Sequence, residues 1–349
     1  MQKLSTNTAL RKSHPAGWLF SLLLLIPLTA CSAEPGPMVL RGATMGTNWQ
    51  VTYQPAAEMP SAETVEALLL AALDDVNSSM STYRSDAEIS VFNAAALMQW
   101  VPVSASFLVV LQAALAVHAA TEGIFDVTVA PLVNLWGFGP GHRDDRVPQS
   151  DAIAAALAEV GVHHVDADFA GLRLRKLNQV ALDFSALAKG FGVDQLAQQL
   201  ELLGVENYLV DIGGELRVRG QHPRGSPWRL AIESPLPGVR APVRLLSVGQ
   251  GAVATSGDYR NFFVVDGQRY SHIIDPRSGY PVRHELVSVT VVQPTAMLAD
   301  AWATALLAAG RERAEQIAVE QELAAFLIWD EADGLSVWSS PLMQQYLID

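Results

Sequence analysis

The stretch "NYLVDIGGELRVRG", Asn207–Gly220, opens as a short apolar run and closes in Asp211, Gly213, Gly214 and Glu215, the pattern of a strand that stops at a turn. Paired glycines after a strand let the backbone approach a ligand closely, and a tight turn accounts for them equally well. Further runs share this character: "WRLAIE", "RLLSV", "NFFVV", "LVSVTVV" and "AAFLIW". Other segments repeat at helical spacing. "SAETVEALLLAALDDV" places Val65, Leu68, Leu69, Ala72, Leu73 and Val76 on one stripe, with Ser61 as N-cap. "SASFLVVLQAALAVHAATEG" and "SDAIAAALAEVG" each end in a glycine, as a helix stop would. Helices and strands are interspersed without regular βαβ spacing. The expected class is therefore α+β, with mainly antiparallel sheets flanked by helices, rather than a Rossmann domain. Neither GxGxxG nor GxxxxGK[ST] occurs, so the common nucleotide fingerprints are missing.

The chain has 349 residues, 50% hydrophobic and 17% charged, enough for a large core and one or two domains. Its formal charge of −13 argues against a nucleic-acid binder, which needs a basic face to neutralise phosphates. An anionic ligand must be met by a few local cations. At the start, Lys3, Arg11 and Lys12 precede the apolar run "GWLFSLLLLIPL", and "LTAC" closes the segment. Residues 1–30 read as an export signal, and no later stretch has the roughly 18 uninterrupted apolar residues of a spanning helix. Removing them deletes three positive and no negative charges, which takes the net charge from −13 to −16. The only cysteine, Cys31, sits at the expected cut, so no internal disulfide can form. Residues 31–37, "CSAEPGP", suit a short tether, and residues 38–349 run on as one domain. "GFGPGHRDDRVPQ", Gly137–Gln149, reads as a surface loop.

Three constellations carry chemistry. In "DFSALAKGFGVDQLA", Lys189 is an isolated cation between Asp183 and Asp194; it either snorkels from a buried turn or meets a ligand. "ATSGDYRNFF" and "YSHIIDPRSGYPV" set Thr255, Ser256, Gly257 and His272 between strands, where the histidine is either structural or a base. In "PTAMLADAWATALLAAG", a helix from about Thr295 to Ala309 stopped by Gly310, Asp300 and Thr304 are four apart and so share a face. An unpaired carboxylate is costly in so apolar a helix. A carboxylate, a hydroxyl and a main-chain carbonyl suit a hard cation such as Mg2+, and no His/Cys cluster supports zinc.

With these residues in hand, the chain resembles the ApbE family of FAD:protein FMN transferases over nearly all of its exported part. The resemblance rests on eight segments in family order. They are "MGTNW" (Met45–Trp49), "MSTYRSDAEISVFN" (Met80–Asn93), "GIFDVTVAPLVNLWGFGP" (Gly123–Pro140), "DFSALAKGFGVD", "YLVDIGGELRVRG", "ATSGDYRNFF", "SHIIDPRSGYPV" and "SVTVVQPTAMLADAWATALL". It implies Mg2+-dependent transfer of FMN from FAD to a threonine hydroxyl of a target protein, with release of AMP. It further implies that Met45, Tyr83, Ile124, Phe125 and Asp126 line the flavin nucleotide site, that Asp183 and Lys189 contact FAD, and that Ile274 packs nearby. Metal ligation would come from the carbonyl of Ala186 and the side chains of Asp300 and Thr304, and His272 is the preferred base.

"LTAC" resembles a bacterial lipobox, which would make Cys31 the lipidated N-terminus, anchored to the inner membrane and facing the periplasm. Expected acceptors are exported flavoprotein domains of membrane redox complexes, such as Na+-translocating NADH:quinone reductase (Nqr) or Rnf subunits. Two other readings stay open on the sequence. One is an FAD pyrophosphatase giving free FMN and AMP; the other is a non-enzymatic flavin-binding lipoprotein.

Overall fold

The computed structural model describes residues 36–141, 145–236, 241–259 and 261–348. Its centre is an eight-stranded sheet whose spatial order follows the chain: β1 (Met38–Thr44), β2 (Thr47–Tyr53), β3 (Tyr208–Ile212), β4 (Glu215–Arg219), β5 (Gln250–Gly257), β6 (Leu286–Gln293), β7 (Ala324–Glu331) and β8 (Gly334–Ser339). Every neighbouring pair is antiparallel. The α+β class with antiparallel sheets is therefore the observed one. The helices fall in long insertions: α1 (Ala62–Met80), α2 (Ala105–Ala120) and α3 (Ser185–Leu202) between β2 and β3, then α4 (Ala296–Ala309) and α5 (Arg311–Glu320) between β6 and β7.

Both faces of the sheet are covered, and this explains why its central strands read as continuous apolar runs instead of alternating ones. On β7, Ala325, Leu327 and Trp329 pack toward α2, α4 and α5, while Phe326 and Ile328 point the other way. There they meet Trp228, Leu230 and Leu246 of a second sheet, built from Trp228–Glu233, Pro242–Val248 and Leu347–Ile348. On the helical side, Trp49, Val51 and Val210 meet Leu69 and Leu73 of α1 and Val193 and Leu196 of α3. Helix α1 begins at Ser61, whose hydroxyl accepts from the Thr64 amide. Leu68 departs from the expected stripe: it is exposed, while Val65, Leu69, Ala72, Leu73 and Val76 are buried.

Helix α4 runs through the core with Asp300 buried among alanines and leucines. Its first turn is capped twice: Thr295 accepts from the Leu298 amide, and Asp194 of α3 accepts from the Ala296 and Met297 amides at 2.9 Å each. Two smaller sheets, Val101–Pro102 with Val165–Asp168 and Arg173–Lys176, and Phe262–Val265 with Gln268–Ser271, flank the core. Cys31 and residues 1–30, expected to be an export signal, lie outside the described residues, as do His142 to Asp144 of the loop following Gly137. Among the described residues no helix is long and apolar enough to cross a membrane.

Candidate active site

One cavity of about 810 Å³ opens beside the end of β5. The turn between β3 and β4 forms part of its wall. Ile212 pairs with Glu215, so Gly213 and Gly214 alone make the hairpin turn, with φ of 64° and 106°. Positive φ at both central positions suits the right-handed twist of the flanking strands and favours glycine. A Cβ on Gly213 would also meet the Thr47 side chain at 2.8 Å. The glycine pair is a tight turn, and that turn lies in the cavity wall. Asp211 accepts from the Gly214 amide and holds the turn closed.

At the base of the cavity Lys189 of α3 lies between two carboxylates. Its Nζ is 2.8 Å from Glu215 Oε1 and 3.5 Å from Asp300 Oδ2. The second oxygen of Glu215, Oε2, is buried without a hydrogen-bond partner. Burial pushes the Glu215 carboxyl up to about 7, against the pull of the Lys189 charge. Burial likewise raises Asp300. For Lys189, burial works to lower the pKa, but the Asp300 and Glu215 charges outweigh it and the ammonium is held above its usual range. Lys189 is therefore not a lone cation. It is the counter-ion of two carboxylates that also face the cavity.

Asp300 Oδ2 also accepts from the Gly190 amide at 3.1 Å. One turn on, Thr304 Oγ1 lies 3.0 Å from Ser256 Oγ, so one hydroxyl of "ATSGDYRNFF" meets the carboxylate–hydroxyl face of α4, while Thr255 Oγ1 lies 2.8 Å from Thr290 Oγ1 instead. Ala186, Asp300 and Thr304 all line the cavity. They offer a hard-oxygen donor set. No group of three or more His, Cys, Asp or Glu side chains with metal-binding geometry occurs among the described residues, so a cation here would draw its remaining ligands from main chain, water or substrate.

His272 faces the same space. Its Nδ1 is 3.1 Å from the Asn261 carbonyl oxygen, and a carbonyl only accepts, so the proton of the neutral ring sits on Nδ1. Nε2 is left with its lone pair. Burial lowers the pKa of this histidine, which keeps that lone pair available near neutrality.

Ile124, Phe125, Asp126, Asp183 and Ile274 line the cavity as well. Asp126 Oδ1 accepts from the Thr128 amide, and Asp183 Oδ1 accepts from the Ser185 amide at the start of α3, so each carboxylate also fixes its own loop. Met45 and Tyr83 are not part of the lining. Met45 is half-buried beside Gly192, with φ of 48°, and Tyr83 is 73% exposed. Two residues with structural work here carried no sequence assignment, Glu215 and Asp194. An acidic residue directly after two glycines, entering an apolar strand, was the available signal for the first.

Comparisons with known proteins address the family of the whole chain. Residues 45–327 match the model of the ApbE family. An FAD:protein FMN transferase of Vibrio cholerae serotype O1 is 40% identical over 331 residues, covering 95% of this chain and 98% of that protein. An FAD:protein FMN transferase of Escherichia coli K12 is 36% identical over 330 residues, covering 91% and 93%. Among solved structures, the flavin transferase ApbE from Vibrio cholerae superposes with a TM-score of 0.83 at 40% identity, over 89% of this chain and 99% of that one. The apo form of Pseudomonas stutzeri flavinyl transferase ApbE gives 0.82 at 38% identity, over 88% and 96%. With a family match spanning most of its length and relatives this similar over nearly all of theirs, the chain belongs to the ApbE family.

Proposed function

We propose that this protein is an FAD:protein FMN transferase, which splits FAD at its pyrophosphate and joins FMN through its phosphate to a threonine hydroxyl of a target flavoprotein, releasing AMP. The observation that carries the reading is the convergence of Asp300, Thr304, Lys189 and His272 on one cavity large enough for a dinucleotide. Phosphoryl transfer is chiefly a matter of positioning and charge neutralisation, which fits a site with a cation, hard oxygens and a base but no covalent nucleophile.

Ala186, Asp300 and Thr304 would hold Mg2+, and the unpartnered, buried Glu215 Oε2 beside them supports the reading as an acceptor with unused capacity. A divalent cation at this place supplies neutralisation of the phosphate oxygens. The protein's own groups do the rest. Asp183, Asp126 and the Ile124–Phe125 segment bound the nucleotide. Met45 and Tyr83 stand outside the lining, and their part in holding the nucleotide is carried by the resemblance alone. His272 Nε2 accepts the proton of the incoming hydroxyl as that oxygen attacks phosphorus. Lys189 keeps a positive charge beside the pyrophosphate.

Lipidation at Cys31 and an inner-membrane anchor on the periplasmic side belong to the same reading, supported by "LTAC" alone. The acceptors would be exported flavoprotein domains of membrane redox complexes of the Nqr or Rnf type. The test is incubation of purified protein with FAD and Mg2+, with and without a candidate acceptor. AMP release together with covalent protein flavin is expected. Free FMN in place of flavinylated acceptor would make the protein a pyrophosphatase, and unchanged FAD would leave only a flavin binder.

A further inference from the structure

The two carboxylates at the base of the cavity are 4% and 2% exposed, Glu215 and Asp300 respectively, and they share one ammonium. Two carboxylates share one ammonium, and Glu215 Oε2 is buried with no hydrogen-bond partner, so the pair is incompletely compensated. A divalent cation arriving at Asp300 would be attracted by that deficit. It would also face Lys189 Nζ, which is 3.5 Å from an Asp300 oxygen and repels any second cation at such short range. The lysine is not locked in place: 31% of its side chain is exposed to the cavity, and its four-carbon stem can swing the ammonium toward a phosphate.

We propose that Lys189 is the resident counter-ion of Glu215 and Asp300 and competes with the divalent cation in the nucleotide-free protein, so that the cation is taken up with the phosphates of FAD rather than before them. The inference rests on the metal reading given above and adds an order of binding to it. The anionic pyrophosphate removes the conflict by offering Lys189 a second partner, and the carboxylates pass to the cation. In the nucleotide-free site the ammonium compensates part of the buried carboxylate charge, which lowers the cost of holding Glu215 and Asp300 out of water.

Mn2+ serves as the probe, its free concentration followed by electron paramagnetic resonance, for wild type, Lys189→Met and Glu215→Gln, each without nucleotide and with FAD. In nucleotide-free protein, Lys189→Met should bind Mn2+ at least tenfold more tightly than wild type, and Mn2+ should raise its melting temperature more. FAD should tighten Mn2+ binding at least tenfold in wild type and less in Lys189→Met. If Lys189→Met does not fold, Glu215→Gln decides: with one carboxylate gone, Lys189 neutralises the other, and nucleotide-free Mn2+ affinity should fall at least tenfold below wild type. Equal Mn2+ affinity in wild type and Lys189→Met, in wild type with and without FAD, or in wild type and Glu215→Gln would overturn the competition while leaving the metal site standing. Absence of Mn2+ binding by every protein, FAD included, would overturn both.

Discussion

The main-chain amide of Gly190 donates to Asp300 Oδ2 across 110 positions of sequence, and this bond fixes α3 against α4 at the point where each helix faces the cavity. The approach is close because position 190 has no side chain. A Cβ there would lie 2.7 Å from Met297 Cα and closer still to the Ala296 carbonyl, both of them backbone. Gly190→Ala must therefore push the helices apart. The expected cost is about 1–3 kcal/mol, the usual range for overpacking a tight core. Urea unfolding measures it, and FAD binding should weaken in parallel because Asp300 moves with its helix. A variant as stable as wild type would show that the helices can separate freely here.

Asp194 stands one turn further along α3 and caps α4 through the Ala296 and Met297 amides, while Arg217 Nη1 pairs with its Oδ1 at 2.8 Å. Asp194→Ala removes the acceptor of two amides, one buried and one part-buried, and leaves Arg217 with Glu201 as its carboxylate partner. Losses of this kind run to about 3–5 kcal/mol when a buried pair is broken. Asp194→Asn keeps one acceptor oxygen and should lose less. The ranking wild type, Asn, Ala in urea midpoint is the expected result; equal midpoints for Asn and Ala would mean the remaining oxygen does no capping.

The parts of this fold that show in the sequence are those in which local pattern and tertiary role coincide. Leu286–Gln293 and Ala324–Glu331 read as strands because both of their faces are buried, and Ala296–Ala309 reads as a helix because Thr295 and Gly310 bracket it. Met38–Thr44 does not announce itself, since an edge strand holding Gly42 beside Trp49 has no continuous apolar run. The site follows the same logic. Asp300 is conspicuous as a carboxylate in an apolar helix, and Lys189 as a lone cation. That each is the other's partner is not visible, because Glu215 and Asp300 reach Lys189 only after the β3–β4 turn and α4 are brought together. Leu68 fits a helical stripe on paper yet falls at the rim of the buried arc.

Burial places the His272 pKa below the usual 6.5, and the sign of its effect follows. The imidazole is neutral and able to accept a proton above that value. Because the folded pKa is depressed, the stability linked to this group is complete above pH 6.5 and is lost as pH falls toward the folded value. The His272 limb of acceptor flavinylation should accordingly lie on the acid side, below the ordinary histidine range of about pH 6.5. His272→Gln should reduce transfer by about 10²-fold or more while FAD still binds, since the group acts on the hydroxyl and not on the nucleotide. An acid limb centred above pH 6.5 would show that another group is being titrated.

Asp300→Asn and Thr304→Ala separate charge from geometry on α4. Asn keeps the size and one carbonyl oxygen of Asp300 and so can still accept from the Gly190 amide, but it removes the charge that holds a hard cation. It also frees Lys189 from one of its two partners. FAD cleavage should fall severely, and added Mg2+ should restore little of it, because the carboxylate both binds the ion and places it against the phosphate. Thr304→Ala removes a neutral hydroxyl whose other contact is Ser256, and water can take its place. Its loss should be milder and should shrink as Mg2+ is raised. AMP release followed against Mg2+ concentration distinguishes the two, with circular dichroism showing that both variants are folded. Wild-type turnover by a well-folded Asp300→Asn at ordinary Mg2+ would remove Asp300 from the metal site and leave its buried carboxylate as a partner for Lys189 and Gly190 alone.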